Sequence, residues 1–153
     1  LKIAFDIVNH EQFSGFYANR FKSAKAQNPD AKWGGVFDVF IPKDDGSELD
    51  GYTKQAFKRF ITSVEKSNEG YVWNWDEKSL KGKAFGGIFG REEFITKEGD
   101  RKFAVKCRFP RSIDSIRSGD YKIPEDKLLK GLNTATATLD DYEEILDPDD
   151  MPF

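Results

Sequence analysis

Residues 101–110, Arg-Lys-Phe-Ala-Val-Lys-Cys-Arg-Phe-Pro, alternate without a break. In an extended chain Phe103, Val105, Cys107 and Phe109 fall on one side, and Lys102, Ala104, Lys106 and Arg108 on the other. The pattern predicts a strand with one face in a core and an opposite face that is basic and free of acids. Its partner precedes it. Residues 84–95 read as a strand, and residues 96–100, with Gly99, read as a hairpin turn. Gly86, Gly87 and Gly90 inside the first arm predict a bulge or a sharp bend.

The rest of the chain must pack against this hairpin. Leu1, Ile3, Phe5 and Ile7 alternate with polar or small residues, so residues 1–8 read as a strand that begins at once. Residues 9–33 have no clear period and read as an irregular stretch in which Phe13, Phe16, Tyr17, Phe21 and Trp33 interleave with Arg20, Lys22, Lys25 and Lys32. Residues 36–41 read as a second strand closed by Pro42. Residues 43–51 form a polar turn whose acids lack the spacing of a calcium loop. From Thr53 to Ser67 the period changes to that of a helix, with Phe57, Phe60, Ile61 and Val64 on one face and Asp50 or Thr53 as the cap. Tyr71, Trp73 and Trp75 alternate with Val72 and Asn74. Short helical turns are expected over 76–80 and 112–119.

Two strands, a helix and two strands is the order of a five-stranded OB-fold barrel without its first strand. The expectation is a mostly β fold with one main helix, OB-like, occupying residues 1–130, with a first strand missing ahead of Leu1. The turn at 96–100 then sits where such barrels often meet nucleic acid.

Charge divides the chain. All 24 Lys and Arg lie in residues 1–130, and seven of the 27 acids lie beyond them, so the first part carries +4 and residues 131–153 carry −7. A mildly basic body attracts phosphate, and an acidic tail competes with it. Residues 131–139, small and polar, read as a linker, and residues 140–153 as an acidic tip. No apolar run is long enough to cross a membrane. One cysteine, Cys107, excludes an internal disulfide and suits a reducing compartment.

The chain ends Asp149-Asp150-Met151-Pro152-Phe153. This ending resembles the tip of bacterial-type single-stranded DNA-binding proteins, which close on two aspartates, any residue, Pro and Phe. Residues 57–83 and 111–126 are similar to proteins of phage and prophage replication or recombination modules. The body departs from the housekeeping bacterial protein, and the linker is short for that class. The resemblance implies binding of single-stranded DNA in a bacterial host cytoplasm and recruitment of replication or recombination proteins through Asp149, Asp150, Met151, Pro152 and Phe153. It leaves self-association open.

On that reading Lys102, Lys106, Arg108 and Arg111 are the candidates for phosphate contact, and Trp33, Trp73 and Phe89 for base stacking. The chemistry of catalysis is thin. His10 is the single histidine, and neither it nor Cys107 has a partner suggested by the sequence. Phe-Gly-Gly-Ile-Phe-Gly lacks the Lys and Ser/Thr of a phosphate loop. No cofactor, metal or enzymatic activity is expected. The rival readings are a phage adaptor that captures a host replication protein without touching DNA, and a metal-dependent nuclease.

Overall fold

The structure, a computed structural model, describes residues 1–129. The chain divides into two compact units, Leu1–Val39 and the chain from Phe40 onward.

In the first unit β1 (Lys2–Ala4) pairs antiparallel with β2 (Val36–Asp38), Ile3 facing Phe37. The ladder is extended by Phe5 N–H to Gly35 O at 2.9 Å and Val39 N–H to Leu1 O at 2.8 Å. Between them lies α1 (Phe16–Gln27), where the sequence reads as irregular. Its start is held by Asp6, whose carboxylate accepts from the backbone of Tyr17 at 2.9 Å and Ala18 at 3.1 Å. These amides have no partner within the helix, so a carboxylate there replaces a local cap and complements the helix dipole. The helix buries only Tyr17 fully, which is why no periodic stripe announces it. Tyr17 meets Phe5 edge-on at 5.3 Å and lies against Gly35, where a Cβ would stand 2.3 Å from Phe5 O. Only glycine allows that approach.

The second unit is built on α2 (Glu48–Ser67). It starts earlier than the apolar period, because Ser47 is the cap and accepts from Asp50 N–H at 3.1 Å. Phe57, Phe60, Ile61 and Val64 are buried, as their spacing predicts. Phe60 meets Phe85 edge-on at 5.5 Å. The hairpin follows: β3 (Gly86–Ile95) and β4 (Arg101–Arg111), antiparallel, turning at Gly99 with φ of 90°. A bulge falls where the pairing steps from Ile88–Phe109 to Phe89–Cys107, leaving Arg108 unopposed. Then α3 (Ile113–Ser118) is capped by Ser112, and Ile113 N–H donates to Ser67 Oγ at 3.0 Å, tying α3 to α2. A short 3-10 turn spans Glu77–Leu80.

Two expectations fail here. The described strands form two separate two-stranded sheets, not a closed five-stranded barrel, and α1 is a second sizeable helix where one main helix is expected, while α3 falls within the short helical turn expected over 112–119. The fold is mixed α/β. Among the described strands β1 pairs with β2 alone, and the outer edge of β3 is taken by a returning segment: Glu93 N–H donates to Lys127 O at 2.8 Å and Lys127 N–H to Arg91 O at 2.9 Å. Among the described residues no helix is long and apolar enough to cross a membrane.

Candidate nucleic-acid interface

The hairpin has an inner half held in the core and an outer half that is not. Near the base Gly86, Ile88, Cys107 and Pro110 are buried. Burial pushes the Cys107 thiol up to about 12, so it stays protonated and is no nucleophile at neutral pH. Toward the tip the apolar face expected to reach the core is open: Phe103 is 44% exposed and Val105 61%. Phe109 does not share their side either. The bulge at Arg108 turns it to the face of Ile88, opposite that of Cys107 and Phe89.

The basic face is less uniform than β4 alone suggests. Gly90, Glu92 and Phe94 of β3 lie across from Lys106, Ala104 and Lys102. Glu92 therefore stands among these cations, and Lys106 Nζ pairs with its carboxylate at 2.8 Å. Lys102, directly across from Phe94, is exposed and makes no ion pair among the described residues. Arg108 runs its stem over Gly90 and donates from Nη1 to Glu125 O at 2.8 Å, fastening the returning segment. Arg111 is half-buried and donates to Pro110 O at 3.3 Å. On the other face Arg91 holds Asp126 through both carboxylate oxygens and covers the Phe103 ring at 4.8 Å. Arg101 reaches Glu93 at 3.5 Å.

The aromatic candidates separate in the same way. Trp33, in the first unit, donates its indole N–H to Phe5 O at 3.1 Å and Gly35 O at 2.9 Å, a structural position. Phe89 is half-buried opposite Cys107. Trp73 is half-buried, edge-on to Phe57 at 6.1 Å, and its indole nitrogen is buried without a hydrogen-bond partner. The terminal candidates Asp149, Asp150, Met151, Pro152 and Phe153 lie outside the described residues.

Two rings that the sequence does not single out are better placed. Phe94 is 42% exposed beside Lys102. Trp75 is 73% exposed and stacks on Phe57, planes 16° apart and centroids 5.7 Å apart. Its φ is 63°, where a bulky side chain costs on the order of 1–3 kcal/mol. The turn that imposes this is local: Asn74 Oδ1 accepts from Asp76 N–H at 3.1 Å, and Asp76 Oδ1 from Lys78 N–H at 3.0 Å. The signal was present as Asn-Trp-Asp ahead of a helical turn, masked by the alternation with Tyr71 and Trp73.

His10 is engaged locally, its Nδ1 accepting from the backbone of Gln12 and Phe13 at 3.1 and 3.2 Å. Among the described residues no three His, Cys, Asp or Glu side chains gather as a metal site. Compared with known protein families, curated proteins and solved structures, the chain matches none.

Proposed function

We propose that this chain binds single-stranded DNA in phage replication or recombination within a bacterial cytoplasm, and recruits partner proteins through residues 149–153. The observation that carries the DNA-binding reading is the outer half of the hairpin. It sets Phe94 directly across from Lys102, both exposed, on a body carrying +4. A ring to stack on a base and a cation to meet a phosphate are the two elements of sequence-tolerant single-strand binding. A closed OB barrel is not required for this; a two-stranded ribbon presents the same pair of groups.

A second reading, an adaptor that never touches DNA, is favoured by a different observation. Lys106 is ion-paired to Glu92 and Arg108 is bonded to Glu125, so phosphate must displace part of the protein to reach them. Titration of oligo-dT at two salt concentrations separates the two. Binding that weakens with salt supports the first reading through counterion release; no binding at low salt leaves the adaptor. The tip is tested by removing Phe153 alone. Its ring suits an apolar pocket, and the carboxylates of Asp149 and Asp150 suit cations at the rim of that pocket. Capture of replication or recombination proteins should be lost while oligo-dT affinity is unchanged, and recovery of the same partners refutes the role given to the tip.

A further inference from the structure

We infer that residues 73–83 form a second contact for single-stranded nucleic acid, with Trp75 as a platform for one base and Lys78, Lys81 and Lys83 as its phosphate contacts. The inference rests on the DNA-binding reading above and adds a site on a different element. Trp75 has one ring face laid on Phe57, which is itself buried, and is 73% exposed overall. A ring backed by a core residue is stiff, and a stiff, exposed indole is the side chain that stacks best on a base without reading its identity. The backbone about Trp75 is set by the two successive side-chain turns of Asn74 and Asp76, and the ring itself rests on Phe57.

The lysines follow within one compact turn. Lys81 N–H donates to Lys78 O at 3.2 Å, closing the 3-10 turn, and all three are exposed. Among the described residues none of them lies within ion-pair distance of a carboxylate. Lys83 Nζ rests 5.1 Å from the Tyr71 ring centre, which leaves its charge unneutralised. Asp76 and Glu77 stand in the same stretch, so residues 73–83 carry a surplus of one positive charge. The same loop borders an open recess of about 450 Å³ whose wall includes Glu69, Tyr71, Asn74, Ser79 and Lys83. Asn74, the neighbour of Trp75, lines the recess, so a strand with a base on Trp75 reaches Lys83 along the side of the recess away from Glu69.

The test uses the full chain and oligo-dT, by anisotropy and by tryptophan quenching. Trp75→Gly removes the ring and suits a positive φ, so it should fold; near-native circular dichroism checks this. Its affinity should fall roughly 5- to 150-fold, as one lost base–aromatic stack implies. Trp75→Phe should retain part of the affinity. In Trp33→Phe/Trp73→Phe, where Trp75 alone emits, oligo-dT should quench the fluorescence. Replacing Lys78, Lys81 and Lys83 together by Gln should shallow the dependence of log affinity on log salt by about 2. If wild type binds and a folded Trp75→Gly binds equally well, the platform is overturned and the DNA-binding reading stands. If wild type does not bind oligo-dT at any salt, both fall.

Discussion

The cations of β4 and those of residues 78–83 look alike in the sequence and differ in the structure. On β4, Lys106 has Glu92 and Arg108 has the Glu125 carbonyl. Among the described residues Lys102 has no carboxylate partner, and at 78–83 none of the three lysines has one. A strand places its neighbour's side chains within reach of its own, so a face that is basic along one chain is partly neutralised from the next. A tight turn at the surface has no such neighbour. Counting charge along a strand therefore overstates what it offers to phosphate.

The largest effect that would break this comparison is on salt dependence. With two cations removed at each site, Lys81/Lys83→Gln should weaken oligo-dT binding at low salt more than Lys102/Lys106→Gln does. If the strand pair has the larger effect, the ion pair at Lys106 yields readily to phosphate and the hairpin is the main site. Exposed pairs contribute roughly 0–1 kcal/mol, so the measurement decides between the two sites.

Next in size is Arg108→Ala. Its loss frees Glu125 O and uncovers Gly90, whose surroundings are filled by the Arg108 stem and Pro124. The expected cost is about 1–3 kcal/mol of stability, read as a lower urea midpoint, with only a small change in the salt slope. A stable protein whose slope falls by a full unit would return Arg108 to the phosphate contacts.

How much of this was legible follows from what each signal encodes. The buried stripe of α2 and the hairpin with its turn were readable, because their periods are carried by contiguous residues. That the hairpin is irregular near residues 86–90 was readable too; that the extra residue is Arg108 on the opposite strand was not. The bulge depends on the register between strands, and it sends Phe109 away from Cys107. The pairing of Glu92 with Lys106 is hidden for the same reason. α1 escaped because its start is capped by Asp6, ten residues before Phe16, and because only Tyr17 is fully buried along it. Trp75 escaped because alternation suggests a strand where two side-chain turns hold the chain at positive φ.

A smaller effect sharpens the comparison from the other side. Glu92→Gln keeps the shape of the side chain and removes its charge, which releases Lys106. If the β4 cations are held back by their partners, oligo-dT should bind a few-fold tighter at low salt, within the roughly 0–1 kcal/mol of an exposed pair. The gain should vanish in Glu92→Gln/Lys106→Gln. A gain that persists in the double variant would come from the general charge of the body and not from Lys106.

The smallest effect concerns the segment that Arg91 holds beside β3. Arg91, hydrogen-bonded to Asp126, keeps that carboxyl below its ordinary value of 3.8, outweighing the opposing effect of desolvation. A lowered folded value means that the stabilisation is complete above the unfolded value and is lost as pH falls through the folded one. Between pH 7 and 5 nothing should change. Below about pH 4 the returning segment should loosen. The amides of Glu93 and Lys127, which bond across this edge, should then exchange faster once the intrinsic pH dependence is divided out. Asp126→Asn removes the titrating partner, so its exchange should be raised already at neutral pH and should show less of the acid step. An unchanged acid step in Asp126→Asn would mean that another carboxylate governs the edge and that the Arg91 pair does not hold it.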